Sequence, residues 1–202
     1  MIPGIQGYAE QADELIKRYE AVSFAEKHQS ELHILPTSPG LILDVGAGTG
    51  ADAAWFASQG HSVVAVEPTD ELREPGKALH PSPSIVWLKD SLPDLALVLA
   101  REQQFDAVML TAVWMHLDEE ERRIGMPKLS SLLAPEGVLV ISLRHGPVPA
   151  GRRMFDVSGE ETIALATASG LRTVLCAHTE SIQDFNRVQN VTWTRLAFRR
   201  ST

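Results

Sequence analysis

The pattern of apolar and polar positions along the chain predicts an α/β protein. Continuously apolar runs alternate with segments whose apolar residues recur at helical spacing. The predicted strands cover residues 41–45, 62–66, 85–89, 105–111 and 138–143, and the predicted helices cover residues 51–59, 70–79, 94–102, 119–133 and 159–169. Strands that are apolar throughout are typical of a parallel sheet with helices on both faces. We therefore expect a doubly wound sheet.

The two ends of the chain depart from this alternation. Residues 8–28 have apolar side chains at helical spacing and predict an amphipathic helix, and a shorter helical piece near 29–35 ends at Pro36. Toward the other end, residues 171–178 and 191–198 are rich in β-forming side chains, with too little chain between them for a full crossover helix. This arrangement predicts an antiparallel pair of strands that closes the sheet.

Local signals indicate where helices begin and where one is interrupted. Two acid-containing pairs have capping-box spacing, Asp118 with Glu121 and Ser158 with Glu161. The dipeptide Pro75-Gly76 lies inside the predicted helix 70–79, and we expect it to break that helix because proline lacks a backbone donor.

Composition and charge exclude several functional classes. The chain has 202 residues, enough for one domain, and a formal net charge of −8, which disfavours binding to a nucleic-acid backbone. No apolar run approaches the ~20 residues that cross a bilayer. Residues 1–4 have neither a basic region nor an apolar core, so we expect no secretion signal and a cytoplasmic protein.

The chain has a single cysteine, Cys176. One cysteine forms neither an internal disulfide nor a cysteine-rich metal site, and we expect no metal. Because Cys176 lies in an apolar run, the sequence predicts a buried and unreactive thiol.

The most informative segment joins the first predicted strand to the first predicted helix of the sheet. The strand 41–45 carries Asp44 near its end and leads into Gly46, Ala47, Gly48 and Gly50. Alternating glycines let a ligand approach backbone N–H groups at a helix N-terminus, because no Cβ stands in the way. A tight turn without a ligand is the alternative, and the motif alone does not distinguish the many folds that use it.

Acidic residues follow the next two predicted strands. Glu67, before Pro68, lies about 20 residues after Gly46, the spacing at which a carboxylate accepts from ribose hydroxyls. Asp90, before Ser91, is placed to accept from the exocyclic amine of a base. A solvated loop acid is the alternative for Glu67, and a helix cap is the alternative for Asp90.

The segments after the fourth and fifth predicted strands offer titratable and cationic side chains. Thr111 and Ala112 lead into Trp114 and His116, which give an apolar wall and a possible base, although His116 is equally readable as a structural histidine. A long loop follows residue 143 and carries four side chains suited to an anionic group, namely Arg144, His145, Arg152 and Arg153. A plain solvated loop is the alternative there.

In these residues the chain resembles the class I S-adenosylmethionine-dependent methyltransferases, particularly the small-molecule branch. Five segments carry the resemblance: residues 43–50, Glu67-Pro68, Lys89-Asp90, residues 105–108 and residues 133–140. The resemblance implies a Rossmann-like sheet of seven strands in the order 3-2-1-4-5-7-6, with strand 7 antiparallel. The Asn/Asp-Pro-Pro-Tyr type of motif of enzymes that methylate amino groups of nucleic acids is missing after the fourth strand. Together with the acidic charge, this favours a small-molecule acceptor over nucleic acid or membrane.

The resemblance also implies roles for particular residues. The glycine loop would hold the methionine part of S-adenosylmethionine together with Asp44, Thr111 and Ala112; Glu67 would hold the ribose and Asp90 the adenine. We expect one domain over residues 1–202, in which residues 1–36 cover the substrate pocket and residues 41–200 form the core. The candidate substrate-binding residues are Tyr8, Tyr19, Phe24, Trp114, Arg144 and Arg152.

The implied reaction moves a methyl group to an O, N or S nucleophile by in-line displacement and leaves S-adenosylhomocysteine. Positioning accounts for most of such catalysis, and a base is needed only where the nucleophile must lose a proton, with His116 the first candidate and His145 the second. Two other readings are an NAD(P)-dependent oxidoreductase, since residues 46–51 also satisfy a dinucleotide pattern, and a cofactor-binding domain without turnover. Either a monomer or a homodimer is compatible with the sequence.

Overall fold

The fold is a seven-stranded sheet with helices on both faces, in the strand order β3-β2-β1-β4-β5-β7-β6. The computed structural model describes residues 5–201, so the expectation about residues 1–4 lies outside the described part. The strands are β1 (Leu41–Val45), β2 (Ser62–Val66), β3 (Ile85–Leu88), β4 (Phe105–Thr111), β5 (Leu133–His145), β6 (Leu171–Glu180) and β7 (Thr192–Arg200). The predicted fold class, strand order and antiparallel β7 are confirmed.

Helices lie along both faces of the sheet. They are α1 (Ala12–Glu20), α2 (Phe24–Lys27), α3 (Ala51–Ser58), α4 (Asp70–Leu79), α5 (Ala96–Leu99), α6 (Glu119–Ser131), α7 (Gly159–Ala168) and α8 (Asp184–Val188), with 3₁₀ turns at Leu32–Ile34 and Trp114–His116. No helix in the described part of the chain is long and apolar enough to cross a membrane.

The strand register brings polar residues into one row at the carboxyl edge of the sheet. Thr111 of β4 lies beside Ser142 of β5, which in turn lies beside Arg195 of the antiparallel β7. The N-terminal end of β7 therefore meets the C-terminal ends of the parallel strands. This edge is where ligands bind in open α/β sheets.

The single helix expected over residues 8–28 is two helices. Ser23 interrupts it: its Oγ accepts from the N–H of Glu26, and the Glu26 carboxylate accepts from the N–H of Ser23. This reciprocal cap begins α2 with an extended residue, so α1 cannot continue through it. The short helix expected near 29–35 is reduced to a 3₁₀ turn.

The expected break at Pro75-Gly76 was wrong, because α4 is continuous from residue 70 to 79. Proline removes the donor to the Glu71 carbonyl, but Glu71 is exposed and water can replace that donor. Gly76 has a packing role: a Cβ there would lie 2.6 Å from the carbonyl oxygen of Thr49. The glycine lets α4 pack directly against the glycine loop.

Of the two expected capping boxes, one is complete and one is half formed. Asp118 and Glu121 exchange both hydrogen bonds at the start of α6. Ser158 accepts from the N–H of Glu161 at 3.1 Å, but the Glu161 carboxylate instead accepts from Arg122 at 2.8 Å. The second box thus gives up one cap bond for an ion pair between α6 and α7.

The prediction that Cys176 is buried was wrong. Cys176 is exposed on β6, which pairs only with β7 and so forms the edge of the sheet. The apolar run that contains it does not mark a central strand, because an edge strand keeps part of its surface in solvent.

We expect Gly76→Ala to destabilise the protein by about 1–3 kcal/mol through overpacking against the Thr49 carbonyl. At an ordinary helix position the same change stabilises by roughly 0.5–1 kcal/mol. Urea unfolding measures the sign, with Ala78→Leu, at an exposed position of α4, as the matched control. A stabilised Gly76→Ala variant would contradict the packing described here.

Candidate functional site

A cavity of about 230 Å³ opens at the carboxyl ends of the parallel strands. Its wall includes the glycine loop and the strand ends that follow it, with Gly46, Gly48, Glu67, Pro68, Asp90 and Ser91. The wall also includes N-terminal side chains, the turn after β4 and the end of β7, with Tyr8, Tyr19, Lys27, His116, Trp193 and Arg195. The cavity thus joins residues from both ends of the chain.

The glycine loop is fixed by backbone hydrogen bonds to β2. The N–H groups of Gly46 and Ala47 both donate to the Val66 carbonyl, at 2.8 Å and 2.9 Å. Gly46 has a φ of 73°, and a Cβ there would lie 2.4 Å from Cγ2 of Val113. Only glycine fits this position, because both the backbone conformation and the contact exclude a side chain.

Glu67 ties the loop to the end of β2. Its Oε2 accepts from the Gly48 N–H at 2.9 Å and its Oε1 accepts from the Thr69 N–H at 2.8 Å. Burial raises the pKa of this carboxyl, and the two backbone donors act in the opposite direction. Glu67 lines the cavity at the predicted position, and each oxygen has a further lone pair for a ligand hydroxyl.

Asp90 lines the cavity but also caps the following helix. Its Oδ2 accepts from the N–H groups of Leu97 and Val98, and its Oδ1 accepts from the N–H of Ser91 at 2.9 Å. The alternative weighed from the sequence, a helix cap, is therefore a real role of Asp90. Its contact with a base remains a prediction.

Two acids, Asp44 and Asp52, lie buried together beneath the loop. Burial and the neighbouring Asp52 charge together raise the pKa of Asp44 to about 8, so Asp44 is mostly protonated at neutral pH. Asp44 is 2% exposed, and its Oδ2 has no hydrogen-bond partner. A buried, cavity-lining carboxyl with a free oxygen is suited to receive a cationic ligand group.

Asp52 carries the negative charge of this pair. Lys27 donates to its Oδ1 at 2.8 Å, and His28 and Thr111 contact its Oδ2 at 3.0 Å and 3.2 Å. The pKa of Asp52 lies below its usual range because Lys27 and His28 outweigh the effect of burial. Sequence reasoning missed these partners, since Lys27 and His28 lay inside the single helix expected over residues 8–28.

The β7 edge adds an arginine that sequence reasoning also missed. Arg195 is 7% exposed, lines the cavity and lies 3.6 Å from the carboxylate of the fully buried Glu31. Its guanidinium carbon lies 5.3 Å from the centre of the Trp193 ring. The sequence did offer one signal for a functional role of Arg195, because it is a charged residue within a run of β-forming residues.

Tyr8 and His116 form a hydrogen-bonded pair in the cavity wall. The Tyr8 hydroxyl lies 2.9 Å from His116 Nε2, and His116 Nδ1 lies 2.7 Å from the Arg153 carbonyl. A carbonyl only accepts, so Nδ1 carries the proton and the neutral ring accepts from Tyr8 through Nε2. Tyr19 hydrogen-bonds to Tyr8 in turn, and burial lowers the pKa of His116.

Several predicted site residues do not line the cavity. Phe24 stacks on Trp55 at 3.8 Å and belongs to the core, and Trp114 is completely buried beneath β4. His145 contacts the Thr194 hydroxyl at 2.8 Å rather than the cavity. Residue type and position in the chain made these three residues candidates, but their side chains point away from the cavity.

Three more of the predicted residues, Gly50, Arg144 and Arg152, are not among those that line the cavity. Gly50 begins α3 in a left-handed conformation. Arg152 lies over the Tyr8 ring with its guanidinium carbon 3.5 Å from the ring centre, and Arg144 donates to the Pro147 carbonyl. Thr111 and Ala112 line the cavity as expected.

The sequence of the chain is similar to the sequences of known methyltransferases. A family model described as a methyltransferase domain matches residues 42–137, which include the glycine loop, Glu67 and Asp90. This match supports the resemblance of the chain to the class I S-adenosylmethionine-dependent methyltransferases. The chain is 28% identical to an uncharacterized methyltransferase of Alkaliphilus oremlandii over 109 residues. The aligned residues cover 51% of this chain and 45% of that protein.

Two further methyltransferases are similar in sequence or in fold. The glycine N-methyltransferase of Mus musculus is 28% identical over 152 residues, which cover 63% of this chain and 52% of that protein. The 1,6-didemethyltoxoflavin-N1-methyltransferase of Burkholderia thailandensis has the same fold, with a TM-score of 0.65 and 19% sequence identity. The superposition covers 95% of this chain and 87% of that one. That structure was solved with 1,6-didemethyltoxoflavin and S-adenosylhomocysteine bound. The chain spans about half the length of most of the curated relatives that it matches.

We expect Asp44→Asn to stabilise the free protein and to flatten its pH dependence. The folded Asp44 carboxyl keeps its proton to about pH 8, whereas its ordinary pKa is 3.8. Between these values the folded state binds the extra proton, so wild-type stability falls as pH rises, and asparagine removes this loss. Thermal denaturation between about pH 5.5 and about pH 8 should show a higher Tm for the variant near pH 8. Each kcal/mol of added unfolding free energy should raise Tm by about 2–4 °C. Parallel curves for wild type and variant would contradict the assignment.

Proposed function

We propose that this chain is an enzyme that transfers a methyl group from S-adenosylmethionine to an O, N or S nucleophile of a small molecule. The observation that carries the proposal is the free Oδ2 of buried Asp44 inside a cavity walled by the glycine loop and Glu67. The α-ammonium of the cofactor is a cation of the right chemistry for that oxygen. Its arrival would favour the ionised form of Asp44 and so remove the unpaired polar atom.

The other cavity residues fit the remaining parts of the cofactor. Glu67, held by two backbone donors, retains lone pairs for both ribose hydroxyls. Asp90 keeps acceptor capacity on Oδ1 for the adenine amine, with Pro68 and Ser91 beside it in the cavity wall. Gly48 and Ala112 offer backbone contacts toward the methionine part.

The bound cofactor supplies an activated methyl group on its sulfonium. The protein's task is to align the acceptor with that methyl and to exclude water, which is worth ~7–11 kcal/mol of barrier in favourable cases. Tyr8 and Tyr19 of the N-terminal segment would form the acceptor side of this enclosure, because both line the cavity. A small-molecule acceptor also fits the glycine and didemethyltoxoflavin in the names of two similar proteins.

His116 is the residue we propose as base where the acceptor must lose a proton. Its lowered pKa keeps the ring neutral at pH 7, and the Arg153 carbonyl fixes the tautomer whose Nε2 accepts. When the acceptor takes the methyl group from the bound cofactor, the proton that it loses would pass to Nε2 of His116, either through the Tyr8 hydroxyl or directly. His145 is the weaker candidate, because its ring contacts Thr194 outside the cavity wall.

Two alternatives make different predictions. A nicotinamide-dependent oxidoreductase would use the same glycine loop and ribose acid, but the free Asp44 oxygen calls for a cation rather than a pyrophosphate. A cofactor-binding domain without turnover would bind S-adenosylmethionine and transfer no methyl group. A single domain, a cytoplasmic location and a monomeric or homodimeric state complete the proposal.

Cofactor choice is tested first by thermal shift. S-adenosylhomocysteine at 100 times its Kd should stabilise the wild type by about 2.7 kcal/mol, and NAD or NADH should not. Glu67→Gln should weaken this binding at least tenfold, because it replaces a carboxylate acceptor with an amide. Glu71→Gln, at an exposed position of α4, is the control. Stabilisation by NADH alone would contradict the proposal.

His116→Ala should lower kcat by about 10²–10⁴ for an acceptor that must lose a proton. His145→Ala should leave kcat within about twofold, since that ring lies outside the cavity wall. Transfer of labelled methyl from S-adenosylmethionine to a metabolite panel supplies the acceptor and the rates. Full kcat in His116→Ala with a hydroxyl acceptor would exclude His116 as the base.

A further inference from the structure

Three arginines surround His116, and their charges are balanced very differently. Arg153 forms ion pairs with Asp118 at 2.9 Å and with Glu121 at 2.8 Å. Arg144 bonds the Pro147 carbonyl, and Arg152 bonds the Gln11 amide oxygen. Within residues 5–201, neither of the last two lies within ion-pair distance of a carboxylate. The wall behind Tyr8 and His116 therefore carries two uncompensated positive charges.

The position of these two arginines brings their charge to the cavity. The Arg152 guanidinium lies on the Tyr8 ring, and its Nη1 is buried without a hydrogen-bond partner. The Arg144 guanidinium is half-buried and interacts electrostatically with Tyr8. Tyr8 itself lines the cavity and contacts His116. Both positive charges also lower the pKa of His116, which shows that their field reaches the proposed base.

Three arginine and lysine side chains do line the cavity, and each lies near a carboxylate. Lys27 pairs with Asp52 at 2.8 Å, and Arg18 pairs with Glu14 on the exposed side of α1. Arg195 lies 3.6 Å from Glu31 without a hydrogen bond to it, and its buried Nη1 has no hydrogen-bond partner. Arg144 and Arg152 lie behind the cavity wall, and no carboxylate of the described residues would have to be displaced there.

We propose that the methyl acceptor is a small anion, whose carboxylate or phosphate is received beside Tyr8 by Arg144 and Arg152. This inference rests on the proposed methyl transfer and names the class of its substrate. Guanidinium groups bind either anion through paired N–H donors, and a partly buried site strengthens that attraction. The acceptor's nucleophile then lies near Tyr8 and His116, where a proton can be removed, while Arg153 holds His116 in place.

The test is an anion titration of the protein saturated with S-adenosylhomocysteine. Inorganic phosphate and acetate are added separately at constant ionic strength, and binding is followed by calorimetry and thermal shift. We expect saturable binding of at least one anion to the wild type, weakened at least fivefold in Arg144→Ala and in Arg152→Ala. The stronger of the two anions identifies whether the acceptor carries a phosphate or a carboxylate.

Two variants separate charge from folding. Arg144→Lys keeps the charge and should retain most of the binding. Arg101→Ala removes an exposed arginine whose side chain donates to the Gln103 amide oxygen, and this variant should bind like the wild type. Absence of saturable binding of both anions, or equal binding in wild type and in the Arg144→Ala, Arg152→Ala double variant, would overturn the inference. The titration is repeated without S-adenosylhomocysteine, so a failure of that cofactor to bind is recorded separately and counts against the proposed function.

Discussion

The site is organised around two carboxyl groups, Asp44 and Asp52, buried side by side beneath one glycine loop. Two like charges in a dry interior cannot both ionise at neutral pH without compensation. The protein supplies Lys27 and His28 for Asp52 and leaves Asp44 protonated, with one oxygen unpartnered. This asymmetry creates a place for one more positive charge, and the rest of the cavity is arranged around it.

That constraint explains why the N-terminal segment belongs to the site. The cations that ionise Asp52 come from α2 and the residue after it, so the short α2 must lie against α3. The capping box at Ser23 turns the chain into that position, and Phe24 anchors it by stacking on Trp55. The same turn leaves Tyr8 and Tyr19 over the cavity. Packing, charge balance and access to the cavity therefore depend on one helix of four residues.

The sequence predicted the sheet well, because apolar runs and glycine spacing report directly on buried strands and tight turns. Strands β1, β2 and β4 have the predicted bounds, and Glu67 lies where its distance from Gly46 indicated. The buried ionic cluster could not be predicted, since it joins residues 27–31, Asp52 and Arg195, which come from three distant segments with no shared periodicity. The predictions for Cys176 and for α4 were wrong for local reasons. Cys176 lies on an edge strand and is exposed, and the carbonyl that loses its donor at Pro75 is open to solvent.

The central claim is that Asp44 is the receptor for a cationic group of the cofactor, and proton counting tests it directly. S-adenosylhomocysteine carries the same α-ammonium, and its binding should convert the protonated Asp44, with its pKa of about 8, to the carboxylate. Calorimetric titration at pH 7 in buffers of different ionisation enthalpy should therefore show release of about one proton, lost in Asp44→Asn. Binding without proton release, or equal release in both proteins, would contradict the account.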